Sequence, residues 1–284
     1  MEHHHWGGIL VILAIIGIAA YGGVKYASVS PTNLTLEQKI NRAQNQVEDL
    51  KIKIQDEENS RNASEYKDIV TLKHINKSAD PAQEYVTIQV NQNTRSGVPI
   101  TGWTIKSLSS GNSYTIPGAT GLFFTGTINA EDNVVLAPGD TVYVITGKSP
   151  IGYGFRTNIC SGYQEQFQTF VPHIGLACPR PNTENLSSIP KTTINDACFD
   201  YIDGLPGCRI QTADVPVNLT PECKNFIYDK LNYASCVSVH KNDATFYQPE
   251  WRIYLKRSQS VWKQSHEHIV LYDANGKIVD SLTY

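Results

Sequence analysis

The sequence lacks the short motifs that mark common catalytic sites. It contains no GxSxG nucleophile elbow, no HExxH zinc motif and no glycine-rich phosphate-binding loop. It also lacks an excess of positive charge, because 24 Lys and Arg face 27 Asp and Glu, for a formal net charge of −3. No basic field is available to attract nucleic acid, so we expect no nucleic-acid partner. We predict no catalytic residue, no metal site and no cofactor, and we do not expect an enzyme.

Cysteine is missing from the first half of the chain and is confined to one later segment. The count is even, and the CxxC spacing of structural zinc sites is absent. This usage favours disulfides formed in an oxidising compartment over buried free thiols. The six residues are Cys160, Cys178, Cys198, Cys208, Cys223 and Cys236.

A nearly continuous apolar stretch follows the short tail of residues 1–8. The predicted span is 9–26, and counted from Trp6 to Tyr26 the stretch is just long enough to cross a bilayer core of ~30 Å. Trp6, Tyr21 and Tyr26 lie at its edges, as in the aromatic belts of membrane interfaces. No Lys or Arg precedes the stretch, and no small-residue cleavage site follows it, so we predict a retained transmembrane helix rather than a signal peptide. Lys25 alone would favour the opposite orientation, but the cysteines place residues 1–8 in the cytoplasm and the bulk outside.

A heptad pattern follows the apolar stretch and predicts a helix over residues 34–58. Thr35 and Gln38 have the spacing of a capping box at its start. β-Branched residues at a with leucine at d favour two parallel strands, so the stalk is expected to form a homo-oligomer. The alternative is that the same stripe packs against the chain's own β domain. The seam residues are Leu36, Ile40, Ala43, Val47, Leu50 and Ile54.

Alternating apolar and polar residues predict β-strands in two separated parts of the chain. Val86, Ile88 and Val90 alternate with polar residues, and residues 66–75 indicate an earlier strand. Asn275-Gly276 predicts a two-residue hairpin of type I′. Trp103 and Trp251 lie on alternating strands of the two parts, which predicts that both are buried in one core.

These strands carry a resemblance to a known family. Tyr85-Val86-Thr87-Ile88, Gly102-Trp103, Leu136–Asp140 and the closing Ile269–Gly276 and Val279–Ser281 resemble the lamin-tail domain. The resemblance implies an immunoglobulin-like β-sandwich, with a first part at 66–154 and closing strands at 250–284. The layout, with its N-terminal apolar helix, is also similar to membrane-anchored bacterial envelope proteins. The fold class is therefore mainly β, split by an insertion at 155–249.

The insertion carries all six cysteines and two predicted short helices. One starts near Asn195 and ends at Gly204, and the other starts at Thr220-Pro221 and ends just before Cys236. Six cysteines permit fifteen pairings, which sequence alone cannot choose between. Cys160 and Cys178 precede the helices and are expected to pair with each other across the loop between them. If the two helices form an antiparallel hairpin, nested bridges join Cys198 to Cys236 and Cys208 to Cys223.

Other polar groups are better explained by structure than by chemistry. His266 and His268 share one face of a predicted solvated strand and make a poor ligand set. Asp273, Asn275 and Asp280 resemble a calcium loop only superficially, since a hairpin turn accounts for them. The acidic residues of the two short helices, Asp200, Asp203, Glu222 and Asp229, are expected to be exposed.

The ordered series of anchor, stalk, β domain and disulfide-bearing insertion predicts a membrane-anchored protein of the cell surface. We expect a structural, adhesive or assembly role, with the lipid bilayer, a second copy and an unknown surface protein or glycan as partners. Two alternatives stay open. One is an envelope hydrolase or carbohydrate-binding module with a site in the insertion, and the other is a filament subunit packed through its N-terminal helix.

Overall fold

A long helix opens the described part of the protein, which the computed structural model covers from Thr35 to Tyr284, without the side chains of residues 55–60. Helix α1 spans Leu36–Asn62, so it begins two residues after the predicted start and ends four residues beyond the predicted end. The Thr35 hydroxyl accepts from the Gln38 amide (3.3 Å), and the Gln38 side chain accepts from the Thr35 amide (3.0 Å). This capping box confirms the predicted N-cap at Thr35.

The chain divides into two compact units between Glu58 and Asn59. The predicted tail at 1–8 and the predicted membrane span at 9–26 lie outside the described residues. Between Thr35 and Tyr284, no helix is long and apolar enough to cross a membrane.

Three β-sheets account for the strands of the second unit. The strand order is β1-β2-β7-β9-β8 in the largest sheet and β11-β10-β4-β5 in the next, and β3 pairs with β6. The strands are β1 Val70–Asn76, β2 Tyr85–Val90, β3 Val98–Pro99, β4 Thr104–Ser107, β5 Ser113–Thr115, β6 Val135–Leu136, β7 Thr141–Ile145, β8 Phe155–Asn158, β9 Tyr247–Tyr254, β10 His268–Tyr272 and β11 Ile278–Thr283.

Strand β9 unites the two separated parts of the chain. It lies between β7 and β8, parallel to the first and antiparallel to the second. Val142 of β7 is in register with Trp251 of β9. The four-stranded sheet is shared in the same way, because β10 pairs with β4 of the first part. The residues on either side of the insertion therefore form common sheets.

Two local predictions are corrected at the strand ends. The first strand starts at Val70 rather than Tyr66, because residues 66–69 form a turn in which the Ile69 amide donates to the Tyr66 carbonyl. The β10–β11 hairpin is confirmed, but its turn is not type I′. Within this turn, Gly276 alone has a positive φ (75°). The carboxylate of Asp273 accepts hydrogen bonds from the backbone amides of Asn275 and Lys277. The aspartate supports a wider loop that needs one left-handed residue instead of two.

One hydrophobic cluster contains residues of both larger sheets. Trp103 and Trp251 both belong to it, with exposed fractions of 1% and 6%, as their alternation predicts. Trp262 is also buried in this cluster, and its ring meets Tyr114 edge-on, with 5.3 Å between ring centroids. Burial of such large aromatic side chains contributes a major part of the driving force for folding.

The insertion contains three helices rather than the predicted two. They are α2 (Asp196–Asp203), α3 (Pro221–Lys230) and α4 (Tyr233–His240). Thr220 caps α3 as predicted, because its hydroxyl accepts from the Cys223 amide. The chain then breaks at Leu231, and Asn232 caps α4 by accepting from the Ser235 amide. Cys236 consequently lies inside a separate helix instead of beyond the end of the second one.

Residues of the insertion take part in two further apolar clusters. One surrounds the helices α2 and α3 and includes Ile202, Phe226 and Ile227. The other covers residues of the largest sheet, such as Phe155 and Tyr254, with Phe170, Phe246 and other side chains from the insertion. The insertion is thus packed onto the sheet through one cluster and held together by the other.

Candidate functional site

The apolar seam of α1 is the first candidate site. The side chains of Leu36, Ile40, Val47, Leu50 and Ile54 are between 49% and 75% exposed. A shallow depression along the same face is lined by Ile40, Ala43, Gln44, Val47, Glu48 and Lys51. A continuous stripe of this kind on a helix of 27 residues offers a surface for a partner helix.

All six cysteines form disulfides, but each predicted pairing is wrong. The bonds join Cys160 to Cys236, Cys178 to Cys208 and Cys198 to Cys223, with Cα–Cα distances of 5.8, 5.1 and 5.9 Å. The predicted pairs assumed that α3 continued to Cys236. Because the chain breaks and restarts at Asn232, Cys236 reaches Cys160 near the large sheet, and Cys223 is left for Cys198.

A buried arginine fixes the insertion to the large sheet. The Arg252 side chain on β9 is 0% exposed and donates to the backbone carbonyls of Pro172 and His173. It also pairs with Glu250 at 2.8 Å and lies over the ring of Tyr143, 5.5 Å from the centroid. A buried cation needs such partners. Sequence reasoning missed this contact, although an arginine between Trp251 and Ile253 in an apolar strand was a signal.

A pocket of about 330 Å³ lies beside this arginine. Hydroxyl and amide side chains form part of its wall, including Thr141, Tyr143, Thr157 and Asn158, and Ile174, Ala177 and Pro249 form an apolar part. Glu250 is the carboxylate that lines it, and this group is committed to Arg252. The lining therefore does not present the pair of opposed carboxylates that general acid–base hydrolysis needs.

A second pocket, of about 290 Å³, lies within the insertion. It is lined by the segment that carries Glu184, Asn185, Ser187 and Ser188, and by residues of α3 and α4 together with Tyr163. Glu184 is hydrogen-bonded to His240 at the end of α4. Neither of these two residues was singled out from the sequence, because 56 positions separate them and no local pattern joins them.

The acidic residues and histidines weighed from the sequence do not form a site. Asp200, Asp203, Glu222 and Asp229 are all exposed, as expected. His266 precedes β10 with a positive φ of 54°, so the predicted shared strand face with His268 is wrong. Glu267 is not solvated but fully buried. Within residues 35–284, no group of three or more His, Cys, Asp and Glu side chains could hold a metal ion.

The aspartates of the closing hairpin serve the fold. Asp273 accepts from the Ser64 hydroxyl at 2.6 Å, and Asp280 accepts from the Leu72 amide at 2.7 Å. Both carboxylates thereby join the C-terminal hairpin to the start of the second unit. Their spacing needs no calcium ion to explain it.

Comparison with protein-family models, with curated proteins and with solved structures gave no match. The resemblance to the lamin-tail domain therefore stays a prediction that rests on the residues quoted for it.

Proposed function

We propose that this protein is a membrane-anchored structural or adhesive protein of the cell surface, in which α1 pairs with a second copy and carries the β-rich domain. The observation that carries the proposal is the exposed seam of α1. Its apolar side chains recur at spacings of three and four residues over the described part of the helix. Burying such a seam against a second copy removes apolar surface from water at ~25 cal/mol per Å².

The charges that flank the seam suit a parallel pair. In that arrangement each g position faces the e position five residues later on the partner. In the three g–e pairs of this helix no two like charges face each other, and the C-terminal pair joins a lysine to a glutamate. By sequence position the pairs are Lys39–Gln44, Gln46–Lys51 and Lys53–Glu58.

A parallel pair also agrees with a bilayer anchor at 9–26. Two chains inserted in the same membrane leave it side by side, so their following helices start at the same level and run in the same direction. The three disulfides support an extracytoplasmic position for the remainder, because such bonds persist in oxidising compartments. The pockets described above give no support to the alternative of a hydrolase or glycan-binding module.

Association can be tested on the full-length protein in detergent micelles by native mass spectrometry. We expect a dimer, and we expect Val47→Asp with Leu50→Asp to convert it to a monomer, because two buried charges would oppose the pairing. Ile52→Asp is the matched control, since Ile52 is 54% exposed and belongs to the f position outside the seam. A monomeric wild type, or a dimer that survives the double substitution, would refute the proposal that two copies pair through the seam of α1.

Anchorage is tested separately by the N-terminus and by accessibility. N-terminal sequencing of the mature protein should recover residues before 9, and a protease added to intact cells should remove the domain that follows α1. A mature protein that began near Ser28 would contradict a retained anchor.

We further propose that the two larger sheets form an immunoglobulin-like sandwich of the lamin-tail type. Support comes from the single cluster that contains residues of both sheets, such as Val86 and Ile88 of β2 with Ile105 of β4 and Leu271 of β10. An experimental structure decides the matter. Sheets stacked face to face at ~10 Å with aligned strands would support the proposal, and orthogonal packing would contradict it.

A further inference from the structure

A histidine at the end of α4 lies between two carboxylates from different segments. Nδ1 of His240 is 2.7 Å from Oδ2 of Asp243, and Nε2 is 3.1 Å from Oε1 of Glu184. The side chains of His240 and Glu184 are 19% and 17% exposed, whereas Asp243 is half exposed at 52%. Most of the arrangement is therefore shielded from water.

The chemistry of imidazole fixes the protonation state that this geometry needs. A neutral imidazole donates from one nitrogen and accepts at the other, and an ionised carboxylate can only accept. Both contacts can be hydrogen bonds at once only when His240 carries two protons. Loss of one proton turns one contact into a repulsion between lone pairs, so the arrangement is complete only in the imidazolium form.

The contact lies beside the second pocket, because Glu184 also lines that pocket. Glu184 belongs to the segment between Cys178 and Cys198, which has a 3-10 turn at Pro181–Thr183 and otherwise little regular structure. Cys236 anchors α4 to Cys160. The segment is attached at its far end by the buried Ile189. Asn182 donates to Asp203 of α2, and Leu186 packs against the α2–α3 cluster. Among the hydrogen bonds of the described residues, the one between Glu184 and His240 joins residues 182–188 to α4.

We propose that Glu184, His240 and Asp243 form a proton-dependent clasp that holds residues 182–188 onto α4 below neutral pH and releases them as the pH rises. Release uncovers the pocket walls formed by Ser187 and Ser188 on one side and Ser235 and Ser238 on the other. The clasp is a conformational device that goes beyond the proposed function and does not depend on it.

The electrostatics agree with the geometry. Burial alone would lower the pKa of His240, but the hydrogen bonds and charges of Asp243 and Glu184 outweigh it, so the pKa is raised above its ordinary value of 6.5. The stabilisation is then fully present below ~6.5 and is lost as the pH rises through the raised pKa.

The other ionisable groups around the pocket do not replace the histidine. Tyr163 faces the same pocket, and burial followed by the charge of Glu184 raises its pKa to about 12, so it stays neutral throughout this range. Lys230 of α3 is the remaining cation that lines the pocket. His240 is accordingly the group whose charge changes near neutral pH.

The test combines titration with hydrogen exchange on the full-length protein in detergent. We expect the His240 ring signals to titrate above the ordinary histidine range, and the protection factors of amides 182–188 to fall several-fold between about pH 5.5 and about pH 8.5. Glu184→Gln should lower the midpoint and loosen the segment already at the lower pH. His240→Gln should make protection independent of pH.

His173→Gln is the control, because His173 also faces a carboxylate, Glu165, but is 85% exposed. It should leave the pH dependence of amides 182–188 unchanged. A wild-type His240 that titrates at or below about 6.5, or equal protection of the segment at both pH values, would overturn the proposal.

Discussion

Cys198 and Cys223 are bonded to each other from the first turns of α2 and α3. The two helices are therefore joined at their N-terminal ends, and their apolar residues share one small cluster. The same arrangement frees Cys208 to bond with Cys178 and Cys236 to bond with Cys160. All three bridges therefore lie within the insertion, and the one at Cys160 holds α4 close to the end of β8.

Peptide mapping without reduction should recover these three pairings. We expect proteolytic fragments that link Cys160 to Cys236, Cys178 to Cys208 and Cys198 to Cys223, identified by mass spectrometry before and after reduction. A fragment that joined Cys198 to Cys236 would contradict these pairings and would support the nested bridges predicted from the sequence.

Removal of the bond between α2 and α3 should destabilise the insertion. Cys198→Ala with Cys223→Ala opens a loop of 25 residues, for which a chain-entropy estimate gives a loss of about 3.5 kcal/mol. The loss should appear in chemical denaturation as early unfolding of the α2–α3 cluster, with the sheets unfolding later. Simultaneous loss of both would show that the cluster and the sheets unfold as one cooperative unit.

Trp103→Ala should strongly reduce the stability of the β-rich unit. The side chain is 1% exposed and packs beside Tyr66, with 5.2 Å between ring centroids. Truncation of a buried large aromatic costs about 3–5 kcal/mol. Val135→Ala, at a side chain that is 53% exposed, is the control and should stay within about 0.5 kcal/mol of the wild type. An equally small effect for Trp103→Ala would contradict its burial.

Glu267→Gln should destabilise the protein most at neutral pH. Burial would raise the pKa of Glu267, but bonds from the Lys263 amide, the Ser107 hydroxyl and the His268 amide outweigh it and lower the pKa. The stabilisation is present above ~4.5 and is lost as the pH falls through the lowered pKa. Glutamine can still accept at Oε1 from Ser107 and His268, but its amide would face the Lys263 amide.

An unpaired buried donor of this kind costs about 1–3 kcal/mol. Denaturation of both proteins from about pH 7 down to about pH 3 should therefore show a gap that narrows with acidity. Glu65→Gln, at an exposed position, should show no such gap. A gap that widened on acidification would contradict the lowered pKa.

The strands were the most predictable part because alternation and turn residues are local signals. Val86, Ile88 and Val90 are all buried, and Gly139 has the positive φ that its turn requires. The disulfide pairing was not predictable in this way. It depends on the break at Leu231, and the capping pattern of Asn232 and Ser235 that marks the new helix was overlooked.

The contacts within the candidate sites were even harder to predict from the sequence than the disulfide pairing. Glu184 meets His240 across 56 positions, and Arg252 meets the carbonyl of His173 across 79. These long-range contacts depend on how the insertion folds over the sheet. The periodicity of the sequence contains no signal that predicts them. The exposed seam of α1 is the exception, because heptad spacing lies within one element.

The central position of β9 has a consequence for biogenesis. On a chain that emerges from its N-terminal end, β7 has a partner on one side, β2, and an open edge on the other until Tyr247–Tyr254 arrives. About a hundred residues of insertion are made in between, so completing the sheet is a late, non-local event that should be slow. During that interval the free edge of β7 can pair with other chains. A holding chaperone or rapid export would protect the chain until β9 has been made and covers that edge.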